Sequence, residues 1–128
     1  MGLFIAQRIR KREFGKAIPP VDKAALLEGA RICLAEVIAG QGLPKGTRLL
    51  KACATTKQGP RRILYLLVVA EGDLFVLFYR DKQDKVGANM SPKSEAFNAA
   101  LARHLDLLRD DIAADRIEEI APDQASPV

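Results

Sequence analysis

The stretch "RILYLLVVAEGDLFVLFYR" at residues 62–80 decides the fold. Residues 62–69 and 74–80 are apolar at odd and even positions alike, so a strand built from either is covered on both faces. Between them, "EGD" at 71–73 has the glycine and acids of a tight reversal. Upstream, "TRLLKACA" at 47–54 reads as a further strand, joined to this pair through the turn "TTKQGPRR" at 55–62. Three strands linked by short turns predict an antiparallel meander.

Helices to cover it lie on either side. "DKAALLEGARICLAEVIAG" at 22–40 follows Pro19 and Pro20, and Asp22 is placed to cap it. Leu27, Ala30, Leu34 and Val37 or Ile38 give that helix an apolar face, and "GQGLPKG" at 40–46 ends it. Near the C-terminus, Ser91 is the expected cap and Pro92 the first residue of a helix whose core stripe is Phe97, Leu101, Leu105, Leu108 and Ile112. The lone His104 falls beside that stripe, which suits a flank of the packing surface better than a ligand or base. "GLFIAQRIRKREF" at 2–14 fits an edge strand leading into a basic helix, one helix throughout, or a partner-binding arm. The order of helix, meander and helix predicts an α+β domain.

A chain of 128 residues fits one domain, taken as 1–120 with a flexible tail, "APDQASPV", at 121–128. Two cysteines and one histidine make neither a disulfide framework nor a zinc set, so Cys33 and Cys53 are expected to be small buried thiols in a reducing compartment. No apolar run approaches the roughly 20 residues that span a bilayer. The first cations follow a short apolar patch, the reverse of a secretory signal, and Met1-Gly2 lacks the sixth-position Ser or Thr of a myristoylation site. A cytoplasmic protein with no cofactor is the expectation.

Charge is polarised along the chain. Residues 1–62 hold 13 Lys and Arg against 4 Asp and Glu, a net of +9, whereas residues 63–128 hold 7 against 12, a net of −5. Such asymmetry suits one face that meets a polyanion. No GxSxG, Walker or GxGxxG pattern is present. In a meander, the start of the second strand and the end of the third lie at one edge. Lys57, Arg61 and Arg62 should therefore meet Arg80, Lys82 and Lys85, with Lys51 reaching the same rim from the first strand if its side chain points that way. Arginine forks grip phosphate oxygens, and a lysine among other cations can serve as a base. Together they suit metal-free RNA cleavage: a base removes the 2′-OH proton, the oxygen attacks the adjacent phosphorus, and arginines stabilise the developing charge. Tyr79, a lysine or His104 would protonate the leaving 5′-oxygen.

Residues 3–120 also resemble a known family. "LLKACAT" at 49–55, "TKQGPRRILY" at 56–65, "LFVLFYRDKQDKVGANM" at 74–90 and "SPKSEAFNAALARHLDLL" at 91–108 align with the basic strand, glycine turn, hairpin end and last helix of RelE-type toxins of bacterial type II toxin–antitoxin systems, most like the HigB-like branch. The resemblance implies a compact RelE/ParE-like domain with an N-terminal helix, an antiparallel meander of three to four strands and a C-terminal helix. It also implies an endoribonuclease that cuts mRNA without a metal, often on the ribosome, and a cognate antitoxin that neutralises it. Lys51 matches the strand lysine, Lys57 the turn lysine, Arg62 the arginine closing the turn, and Tyr79 and Lys82 the aromatic and lysine of the hairpin end. These five are the expected catalytic residues, with Arg48, Arg61, Arg80 and Lys85 as RNA contacts. Cys53 stands where the family has a second strand cation, Pro60 where it has glycine, and Arg61 where it has an aromatic residue. Those departures suit the alternatives, a non-catalytic relative that binds RNA or protein, or a ParE-like gyrase poison.

Overall fold

The computed structural model describes residues 2–32, 35–37 and 42–122. Its centre is the meander: β3 (Thr47–Thr56), β4 (Gly59–Val68) and β5 (Asp73–Asp81), each antiparallel to the next. β4 reads apolar on both alternations because each face carries a helix. On one face, α2 (Pro20–Arg31) packs so closely that the buried Tyr65 hydroxyl donates to the Leu26 carbonyl at 2.7 Å. Gly29 makes this approach possible, since a Cβ there would stand 2.6 Å from the Tyr65 hydroxyl. On the other face lies α4 (Glu95–Ala113), with Phe97 against Phe78 at 6.1 Å between ring centres. A bulge between Leu64 and Tyr65 leaves Leu77 as the extra residue on β5.

The sheet is larger than the expected three to four strands, and it is mixed: six strands in the order β2-β3-β4-β5-β1-β6 among the described residues. The N-terminal segment is a strand followed by a helix, β1 (Leu3–Ala6) and α1 (Gln7–Phe14). β1 is an interior strand, parallel to β5 and antiparallel to the short β6 (Ile117–Glu119). Its central position explains why Leu3, Ile5 and Ala6 are buried.

Three local expectations are corrected. The helix expected over 22–40 stops at Arg31, and Ala35–Val37 form β2, which pairs with Leu49–Lys51 at the sheet edge. Edge pairing supplies backbone partners to β3 there, and Ile32 is already extended (φ −131°, ψ 150°). Pro19, not Asp22, occupies the cap of α2, leaving the Asp22 carboxylate free to bond elsewhere. At the other helix, Ser94 replaces Ser91 as the cap, its Oγ accepting from the Phe97 amide at 3.2 Å, while Ser91 closes a preceding turn.

The buried stripe of α4 is Phe97, Leu101, His104, Leu108 and Asp111; Ile112 is half exposed. Both polar members have distant partners. Asp111 accepts from the Arg8 amide and Arg8 Nε, each at 2.9 Å, and from Arg116 Nε at 3.0 Å, tying α4 to the start of α1 and the approach to β6. Burial alone would raise this carboxyl, but the bonds from Arg8 and Arg116 outweigh it and hold it below its ordinary value.

Candidate functional site

The register Arg61↔Asp81 and Arg62↔Arg80 brings the β3–β4 turn and the end of β5 to one rim. The turn itself is only Lys57–Gln58, and Gly59, at φ +113°, takes the left-handed step out of it. Arg61 and Arg62 therefore belong to β4 and point to opposite faces.

That alternation divides the expected site. Lys51, Cys53, Arg62 and Arg80 share the α4 face with Leu64 and Phe78. Lys51 is opposite Leu64, so Arg62 is its diagonal neighbour, roughly 7–8 Å away across the ladder. Arg48, Arg61 and Tyr79 lie on the α2 face with Tyr65. Cys53, expected to be buried, is an exposed free thiol between Lys51 and Arg62; Cys33 lies outside the described residues. Lys57 is exposed in the turn, and Lys82 and Lys85 are exposed beyond β5.

Arg80 is committed to the protein. Its Nε and Nη2 donate to the two oxygens of Glu13 at 2.8 and 2.7 Å, and its Nη1 donates to Asp84 at 3.1 Å. Asp84 also caps the short α3 (Lys85–Ala88) through the amides of Val86 and Gly87. Tyr79 is equally occupied: its hydroxyl donates to Asp22 Oδ1 at 2.7 Å and its ring packs on Phe14. Burial, then the Asp22 carboxylate, push the phenol far above its ordinary value, so its proton is held rather than offered. Arg48 pairs loosely with Glu36 at 3.4 Å on the exposed edge. By contrast, Lys51, Lys57, Arg62, Lys82 and Lys85 form no ion pair with any described residue.

Glu13 escaped sequence reading; its only signal is that it is the sole acid among the first 21 residues. The side chain is fully buried and accepts four hydrogen bonds, from the Tyr79 amide (2.8 Å), twice from Arg80, and from His104 Nε2 (3.1 Å). Burial opposes its charge, but the bonds from His104, Arg80 and the Tyr79 amide prevail and hold the carboxyl below its ordinary value. An ionised carboxylate only accepts, so His104 must carry its proton on Nε2. The buried Nδ1 has no partner among the described residues. His104 thus belongs inside the core stripe as a strut for Glu13.

Beside this network, on the α2 side of the rim, a cleft of about 330 Å³ is lined by Glu13, Asp22, Arg61, Arg80, Asp81 and Asp84, with Phe14, Gln58 and Tyr79. No group of three or more His, Cys, Asp or Glu residues among those described could hold a metal ion, and no described helix is long and apolar enough to cross a membrane. No family model, curated protein or solved structure matches the chain.

Proposed function

We propose that this chain is a RelE-type endoribonuclease that acts on mRNA without a metal and is neutralised by a cognate antitoxin. The observation that carries the reading is the set of cations Lys51, Lys57, Arg62, Lys82 and Lys85, none ion-paired among the described residues, at one end of a sheet whose nearby acids Glu13 and Asp84 already hold Arg80. Lys51 and Arg62 share a face at a spacing suited to one phosphodiester. In this reading Lys51 or Lys57 takes the 2′-OH proton. The 2′-oxygen attacks phosphorus, Arg62 stabilises the added charge, and the 5′-oxygen leaves with a proton from Lys82 or a second lysine. The products are a 2′,3′-cyclic phosphate and a 5′-hydroxyl. Arg80 and Tyr79 serve as positioning residues, through Glu13 and Asp22.

The test is induction of the wild type, Arg62→Ala and Lys57→Ala in a bacterial host, following growth and mRNA integrity with expression confirmed. Growth arrest and cut mRNA with the wild type, relieved in the variants, are expected; three equally harmless proteins would end the toxin reading. One observation favours a second reading, an RNA-binding relative that does not cut. The groups best suited to proton transfer, His104, Glu13 and Tyr79, are all committed to internal hydrogen bonds, which leaves lysines and the Cys53 thiol on the open face. That protein would bind single-stranded RNA with a log–log salt slope of about −3.5 for five phosphate contacts, and yield no fragments.

A further inference from the structure

The acids of the rim cleft have no part in holding phosphate. Four carboxylates, Glu13, Asp22, Asp81 and Asp84, face two guanidiniums, Arg61 and Arg80. Glu13 and Arg80 satisfy each other, and Asp84 is shared between Arg80 and the cap of α3. The remaining groups are more available. Asp22 uses Oδ1 for the Tyr79 hydroxyl, and Asp81 uses Oδ1 for the amides of Gln83 and Asp84. Among the described residues, no hydrogen-bond donor reaches the second oxygen, Oδ2, of either. The Arg61 guanidinium donates to the Pro60 carbonyl at 3.3 Å and also reaches the Tyr79 hydroxyl.

A free phosphate would meet an excess of negative charge in this cleft, and a simple cation would meet Arg61. A flat, uncharged ring with neighbouring N–H donors on one edge and acceptors on another satisfies both sets of groups. Guanine is the nucleobase with that pattern: N1–H and N2–H beside each other, with O6 and N7 as acceptors. The Phe14–Tyr79 ring pair, 5.1 Å between centres, supplies an aromatic wall. Lys57 immediately precedes Gln58 and Lys82 immediately follows Asp81, so exposed lysines flank the cleft where a nucleotide's phosphates would emerge.

We propose that this cleft holds a guanine base of the RNA, with Asp22 and Asp81 accepting from N1–H and N2–H and Arg61 donating to O6 or N7. The source of the nucleotide rests on the RNA reading above; the base preference does not. Isotope-labelled protein is titrated with 5′-GMP, 5′-IMP, 5′-AMP and N-acetyl-argininamide, following the amide resonances of Gln58, Arg61 and Asp81. In parallel, binding is measured for equal-length RNA strands with and without guanine. GMP should shift these resonances and bind about tenfold more tightly than IMP, which lacks the 2-amino group, or AMP. Asp81→Asn, whose Oδ1 still accepts the turn amides, should bring GMP down to the level of AMP. Equal binding of the three nucleotides, or a cleft that responds only to the argininamide, refutes the guanine pocket even if RNA binds. A GMP-specific response with no RNA binding keeps the pocket and removes the RNA reading.

Discussion

Replacing Glu13 with glutamine tests the network that holds four elements together. The side chain keeps its shape, and its amide oxygen can still accept from the Tyr79 amide and Arg80 Nε. The new NH2 group then faces Arg80 Nη2 and His104 Nε2, so donors oppose donors at both places. Two hydrogen bonds to a charged group, each worth roughly 1.5–3 kcal/mol, are lost. Arg80 is 24% exposed and keeps Asp84, so the cost belongs at the lower end. We expect about 3 kcal/mol by urea denaturation and a fall in Tm of about 10 °C. Glu13→Ala also strips the Tyr79 amide and should cost about 4–5 kcal/mol. The wild type carries a matching pH signature. A carboxyl held below its unfolded value contributes stability above the ordinary 4.5, which is lost as pH falls through the folded value. Glu13→Gln should flatten that acid decline. A variant within about 0.5 kcal/mol of wild type, with the same acid slope, would refute the structural role of this network.

Two further substitutions test packing at a distance from the rim. Gly29→Ala places a methyl 2.6 Å from the Tyr65 hydroxyl and 3.0 Å from Ile63 Cδ1. It should destabilise by about 1–3 kcal/mol despite better helix propensity, and by less in a Tyr65→Phe background, as a double-mutant cycle of melts would show. Asp111→Asn keeps an acceptor for the Arg8 amide but loses the charge that holds Arg8 and Arg116, for about 2 kcal/mol by urea denaturation. Unchanged stability would mean that these arginines are as well off in water.

The two-sided strands and their order were legible because apolar residues on both alternations leave few other solutions. Elements whose logic is distant were not. "LFIA" at 3–6 is too short to announce an interior strand, and its partner Leu74–Val76 lies some 70 residues on. The 22–40 segment reads as one helix because Leu27, Ala30 and Val37 keep helical spacing, yet α2 buries Ala25, Leu26 and Gly29 instead. The close seat on Tyr65 favours small residues there, which an apolar pattern does not weight. In α4, an apolar stripe sought through Leu105 and Ile112 missed His104 and Asp111, whose burial is compensated by Glu13 and Arg8, about 90 and 103 residues away. At the candidate site, the convergence of cations on one rim followed from antiparallel geometry. Their division between two faces required the register, and the acids that occupy Arg80 and Tyr79 come from α1 and α2, whose docking no local pattern encodes.

The interior position of β1 sets a schedule for the chain during synthesis. Its parallel partner β5 emerges from the ribosome tens of residues later, and β6, which closes its other edge, emerges only with residues 117–119. Until then the first strand has no complete sheet to enter, and the pairing that buries it is of high sequence separation and correspondingly slow. The rim network joins Glu13 of α1 to Arg80 and to His104 of α4, so a nascent chain carries the cations of β3 and β4 long before it carries the last residue that fixes their neighbours.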